Sequence, residues 1–172
     1  MIKVSRAAYL GAKLTRASND VRYYLNAIYL DPEGFIVATD GHRIFCDTVE
    51  MTGIKSGLLI DIAGKEPTKF DKAHIDPDAK KVIFTDKDGG VLSEIPFREV
   101  DGRFPDWRRV TRFTEGKVAA IGLTMVYLAD AAKIAKHYGV KAARIDFQDT
   151  VSAVRINLSG TAYLMIMPAR VK

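Results

Sequence analysis

Residues 38–49 read ATDGHRIFCDTV. Asp40, His42 and Cys46, the chain's one cysteine, are the side-chain types from which nucleophilic and metal sites are made. A metal centre needs three or four converging ligands. The three histidines, His42, His74 and His137, are scattered, and no His or Cys pair has ligand spacing. A cysteine nucleophile needs neighbours that stabilise its thiolate. Cys46 lies instead in an apolar, strand-like run, where a buried, inert thiol is the expected outcome. The two-residue period of a strand places it on one face with Ile44 and His42, and Asp40-Gly41 is first of all a turn signal. No phosphate loop, nucleophile elbow or zinc-protease motif occurs anywhere, and no carboxylate pair stands out. The sequence therefore predicts no catalytic residue, no metal and no cofactor, and a protein that is not an enzyme.

The elements that position these residues recur three times, at a period of about 50 residues. The first unit opens with the strand MIKVS. A helix over Ala7–Ala17 follows, with Ala7, Leu10, Gly11, Leu14 and Ala17 on one side and Arg6, Tyr9, Lys13 and Arg16 on the other. Then come three strand-like runs, YYLNAIYL, GFIVATD and HRIFCDTV, separated by the DPEG turn and by Asp40-Gly41. The third unit repeats the order. KVAAIGL reads as a strand and TMVYLADAAKIAKHYG as a helix, with Thr124 as N-cap and Gly139 as stop. ARIDFQD, VSAVRINL and TAYLMIMPA read as strands. The middle unit keeps the strands LLIDI, KKVIFTD and GVLSEIPFREV, but Pro67 lies inside its helical stretch, AGKEPTKFDKA, and predicts a short or irregular helix. Short linkers fall near Met51–Ser56 and Arg112–Gly116. The expected fold is α+β, three β-α-β-β-β half-domain units: two in a domain over 1–111 and a half-domain over 112–172.

Of the 172 residues, 48% are hydrophobic and 27% charged, as in a globular domain. No apolar run approaches the ~18 residues of a membrane span. Lys3, Arg6, Lys13 and Arg16 break up the N-terminal stretch, which does not read as a signal peptide. A lone cysteine suits a reducing cytoplasm. The net charge of +5 is concentrated in residues 117–172, which hold 8 basic and 3 acidic side chains. That bias permits a nucleic-acid partner without requiring one.

Four stretches carry a resemblance: DVRYYLNAIYL (Asp20–Leu30), VATDGHRIFC (Val37–Cys46), VDGRFPDWRRV (Val100–Val110) and YLMIMPARVK (Tyr163–Lys172). In these, and in this order, the chain resembles the β sliding clamp of bacterial DNA polymerase III. GLTMVYLADAAKI is similar to the last helix of that clamp's third domain. A clamp chain has three domains of two halves each. Units one and two resemble its whole second domain and unit three only the last half of its third, which makes this a shortened, divergent form.

The resemblance implies a DNA-clamp fold and a ring around duplex DNA that contacts phosphate without reading bases. The DNA-facing residues would be Arg6, Lys13 and Arg16 on the first helix, Arg22 just after it, and Lys133, Lys136 and His137 on the last. It also implies a pocket for short, partly hydrophobic peptides of a DNA polymerase or clamp loader. The matching positions are Leu25, Thr39, Gly41, His42, Arg43, Ile44, Pro105, Arg109, Val110, Tyr127, Val151, Met165, Ile166, Met167, Pro168 and Arg170. Thr124, Ala153 and the tail MPARVK depart from the family pattern, so peptide preference is expected to differ. Unit three lacks a partner half in its own chain. The expected assembly is a homo-oligomer in which two copies of unit three pair, with about four chains closing a ring. No membrane partner is implied. The alternative is a clamp mimic or adaptor that binds the same peptides without encircling DNA.

Overall fold

The computed structural model describes residues 1–52 and 54–170. Unit one opens with β1 (Ile2–Ser5), which buries Ile2 and Val4 and exposes Lys3 and Ser5, the alternation that IKVS predicts. The Ser5 hydroxyl then caps α1 (Arg6–Thr15), accepting a hydrogen bond from Ala8 N at 3.1 Å and so satisfying an amide of the first turn. A 3₁₀ turn (Tyr23–Asn26) leads into β2 (Ile28–Asp31), β3 (Phe35–Thr39), β4 (Arg43–Thr48) and the short β5 (Glu50–Met51). Unit two contributes β6 (Leu58–Ile62), β7 (Lys72–Asp76), β8 (Lys81–Thr85) and β9 (Val91–Glu99). A connector containing the one-turn α2 (Trp107–Val110) reaches unit three. There α3 (Met125–His137) precedes β10 (Ile145–Asp146), β11 (Val154–Asn157) and β12 (Tyr163–Ile166). No helix of the described residues is long and apolar enough to cross a membrane.

Four expectations change. YYLN is a 3₁₀ turn, not a strand, and β2 begins only at Ile28. The irregular helix expected in unit two is absent; Gly64–Phe70 is irregular chain, as Pro67 within so short a stretch would dictate. KVAAIGL forms no strand. Tyr9 is fully buried, not solvent-facing. With no helix in unit two, Phe70 comes down on α1, and the Tyr9 ring meets Phe70 and Phe84 edge-on at 5.7 and 5.2 Å. The buried face of α1 is thus Ala8, Tyr9, Gly11, Ala12 and Thr15, while Leu10 and Leu14 are half-buried.

The first strands of units one and two are exchanged. β1 pairs with β7 of unit two, and β6 with β2 of unit one, both antiparallel. Unit three joins through β12, which pairs with β4 over four positions. One twelve-stranded sheet results, in the order β10-β11-β12-β4-β3-β2-β6-β9-β8-β7-β1-β5. α1 and α3 pack together over one face, above the main core. A smaller apolar cluster forms on the opposite face, where Phe104 and Trp107 of the connector cover Val37, Ile44, Cys46 and Met165. β4 is therefore buried on both faces, Phe45 in the main core and Ile44 and Cys46 in the second cluster.

Candidate peptide groove and cationic basin

The turn that enters β4 is held by its own polar groups. The Asp40 carboxylate accepts from His42 N at 2.9 Å, Arg43 N at 3.0 Å and Arg43 Nε at 2.9 Å. Gly41 N donates to Thr39 Oγ1 at 3.0 Å, and that hydroxyl donates to Arg43 O at 2.6 Å. Gly41 sits at φ +92°, and a Cβ there would lie 3.0 Å from the Arg22 guanidinium. The positive φ favours glycine here, while the Arg22 contact, made by the end of a flexible and half-exposed side chain, could give way. Asp40 and His42 are thus turn-formers, and burial pushes the Cys46 thiol up to about 12. None of the three makes a nucleophile.

The connector is fastened to the sheet at Asp31, which is 2% exposed. Its carboxylate accepts from Trp107 Nε1 at 3.0 Å, from Arg108 at 2.7 and 2.9 Å, and from Glu33 N at 2.9 Å. Burial opposes its charge, but the Arg108, Glu33 and Trp107 hydrogen bonds outweigh that and hold the carboxyl below its usual range. Arg108 also lies over the Trp107 ring at 4.4 Å, and Phe104 stacks on Tyr29 at 4.7 Å. Unit three is fastened by a second buried acid. Arg43, 8% exposed at its side chain, donates to Asp130 at 2.8 Å. It also donates to Leu14 O at 3.0 Å and lies 4.8 Å over the Tyr127 ring. For Asp130 too, burial is outweighed by hydrogen bonds from Lys133 and Arg43, and its carboxyl is held low.

Between the turn, the connector and the tail lies a mainly apolar groove of about 230 Å³. Ten residues predicted for the pocket line it: Leu25, Thr39, Gly41, His42, Arg43, Ile44, Pro105, Val110, Met165 and Met167. Six do not. Ile166 is fully buried in the main core, because β12 alternates and Met165 takes the groove side. Tyr127 stacks on His42 from the α3 side, 6.3 Å between ring centres. Val151, at 74%, and Arg109 and Arg170 are exposed, and Pro168 is half-buried beyond the groove's end. The sequence reading missed Tyr24, Phe104, Trp107 and Ala153, and placed Arg22 elsewhere, yet all five line the groove. Phe104 and Trp107 stood in the quoted FPDW, where two large aromatics in a loop were the available signal.

A second, open concavity of about 730 Å³ lies between α1 and α3. Arg6, Lys13, Lys133, Lys136 and His137 surround it over a Leu10 and Leu14 floor, together with Glu66. Lys13 is ion-paired with Glu66, and Lys133 with Asp130 at 2.8 Å. Arg6 lies 3.4 Å from His137 Nδ1 and donates to Thr68 O at 3.2 Å. Burial, then the Arg6 and Lys136 cations, lower the His137 pKa. Two of the predicted DNA-facing residues are elsewhere. Arg16 pairs with Asp61 at 3.2 Å in a separate polar recess. Arg22 is clamped by Asp20 at 2.8 Å at the rim of the groove. α1 ends at Thr15, so neither residue shares the helix face that Arg6 and Lys13 present.

No family model matches the chain. The β sliding clamp of Haemophilus influenzae is 25% identical over 174 residues, covering 88% of this chain and 43% of the clamp. That of Vibrio cholerae is 26% identical over 154 residues, covering 84% and 42%. The chain thus spans less than half the length of these curated relatives. Among solved structures, a DNA polymerase sliding clamp from Pseudomonas aeruginosa superposes with a TM-score of 0.69 at 18% identity, over 98% of this chain and 66% of that one. The Caulobacter crescentus polymerase III β subunit gives 0.66 at 17%, over 99% and 66%. The chain has the DNA-clamp fold and resembles the bacterial β sliding clamps along most of its length, at low sequence identity.

Proposed function

We propose that the protein is a sliding-clamp-like tether. It holds a DNA polymerase, a clamp loader or another replication partner by a short linear peptide, and stays on duplex DNA as an oligomeric ring. The observation that carries this is the groove. Residues from five separated stretches converge on one apolar trough beside the Asp40–Arg43 turn. An apolar anchor that buries ~100 Å² there would gain about 2.5 kcal/mol, so two anchors and a few rim hydrogen bonds suit a micromolar, exchangeable tether. In this reading residues 1–111 act as one clamp domain and 112–172 as a half-domain. The basin side faces the duplex and makes phosphate contacts that are weak, salt-sensitive and mobile. The protein then acts by raising effective concentration, without chemistry.

Trp107, the chain's one tryptophan, lines the groove and is a built-in reporter. Titration with a peptide bearing paired Leu and Phe anchors should change its emission saturably, and Met165→Glu should abolish the change. An unaltered titration in that variant would end the groove reading.

The adaptor alternative is favoured by one observation: Lys13 and Lys133 are already paired with carboxylates, and Arg16 and Arg22 lie outside the basin. Retention on circular DNA, with loss on linearising it, supports the ring. Peptide binding without topological retention supports the adaptor.

A further inference from the structure

Unit three has the half-exchange that units one and two complete between themselves. In β1·β7, Ile2 lies opposite Ile75 and Val4 opposite Ala73. In β6·β2, Leu58 lies opposite Leu30 and Ile60 opposite Ile28. The two exchanges share one register, because AHID (73–76) and IYLD (28–31) occupy equivalent places after each unit's helical stretch. Unit three repeats both halves of the pattern. IGLT (121–124) leads into α3 as IKVS (2–5) leads into α1, with Thr124 at the N-cap as Ser5 is. ARID (143–146) follows as AHID does.

Neither half has its partner. Residues 121–124 form no strand, and among the described residues their one backbone hydrogen bond to another segment is Ala169 N to Gly122 O at 2.8 Å. β10 is the edge of the sheet and only two residues long, against four in β2 and five in β7. Asn157 N donates to Arg144 O at 3.0 Å, so alternation turns the polar groups of Ile145 to the open side. The chain's own Gly116 N takes the next outward acceptor, Phe147 O, at 2.7 Å. It closes the far end of this edge, where Arg144 is ion-paired with Glu115 and Asp146, and leaves the outward backbone groups of Ala143 and Ile145 without a partner among the described residues. Ile145 itself is 40% exposed, an open apolar edge of the kind that folded proteins ordinarily cover.

We infer that unit three pairs with unit three of a second copy by reciprocal strand exchange, the Ile121–Thr124 segment of each chain adding to β10 of the other. The register of the two intrachain exchanges sets Ile121 opposite Ile145 of the other copy, Gly122 opposite its Arg144 and Leu123 opposite its Ala143. The occupant is a second copy because each chain carries both complementary pieces, which a two-fold axis satisfies together. The connector between β9 and α3 has no further β-α-β-β-β unit to supply them in cis. This deepens the oligomer element of the proposed function, but it rests on strand topology and not on DNA or peptide binding.

The test uses the whole chain. Gly122→Cys and Arg144→Cys lie on the outward face, at the pair equivalent to Lys3 and His74; Cys46 is buried and stays silent. Under mild oxidant, a mixture of the two single variants should give a disulfide-linked dimer that neither variant gives alone. Sedimentation should show a dimer at about 100 µM or below, with Ile145→Lys weakening it at least tenfold. A monomer throughout that range overturns the inference. So does a dimer without the mixed cross-link, or a double-cysteine chain that closes on itself. The Trp107 titration reads the groove separately: a monomer that still binds peptide sinks the exchange alone.

Discussion

Asp31→Ala tests how the connector is held. The substitution removes the acceptor for Trp107 Nε1, for both Arg108 terminal nitrogens and for Glu33 N. A buried indole N–H left without an acceptor costs ~1–3 kcal/mol. Arg108 is 42% exposed at its side chain and keeps Glu33 at 2.8 Å, so its lost pairing adds no more than ~1 kcal/mol. Relief of the carboxylate's own burial offsets part of this. The net loss is about 2–3 kcal/mol, and it falls on the connector. Urea unfolding followed by Trp107 emission should therefore shift to lower denaturant ahead of the far-ultraviolet circular dichroism transition, whereas the two should coincide in the parent. The acid limb gives an independent check. The folded pKa of Asp31 is depressed, so its contribution is complete above the unfolded value of ~3.9 and is lost as pH falls through the lower folded value. Asp31→Ala should lose that part of the acid dependence. An unchanged Trp107 midpoint, or a change of under ~0.5 kcal/mol, would refute the view that Asp31 fastens the connector.

Two further outcomes follow from the turn and from the joint to unit three. Gly41→Ala forces a side chain onto φ +92° and against Arg22; thermal unfolding should show a loss of about 1–2 kcal/mol, and an unshifted midpoint would mean that the turn tolerates a Cβ. Asp130→Ala leaves the buried Arg43 with only Asp40 and Leu14 O, a loss of about 2 kcal/mol that is smaller than for a wholly orphaned charge. Hydrogen exchange should rise first in β12, and exchange that rises uniformly over the sheet would argue against a separable joint.

The fold was most legible where a residue's fate depends on its own neighbours in the chain. IKVS forms a strand and Asp40-Gly41 turns, both from local rules. Tyr9 was misplaced because its burial depends on Phe70, some sixty residues on, descending where a helix is missing. Part of the groove was legible through motif resemblance. Within its tail segment, one-residue alternation decides which side chain matters: Met165 lines the trough while Ile166 packs in the core. Arg43 shows the opposite case. Its motif placed it among the groove residues, and it does line the groove. Its guanidinium, however, is committed to Asp40, Asp130 and Leu14 O, a network that needs α3 alongside and that no short window of sequence reveals.

IKVS and IGLT make the same point about strands. Both alternate apolar residues, and both lead into a helix with a hydroxyl residue at the N-cap position, though only Ser5 makes the capping hydrogen bond. One is a strand and the other is not. Propensity favours IKVS only slightly, with Gly122 a poorer strand residue than Lys3; the larger difference is a neighbouring edge to accept the ladder. β1 has β7, and residues 121–124 pair with no strand among the described residues. The groove, by contrast, draws its whole lining from a single chain. In the proposed function, peptide capture would therefore need one copy only, whereas the ring would need several. The two halves of the proposed function are physically separable, and the state of assembly, not the groove, decides between a ring and an adaptor.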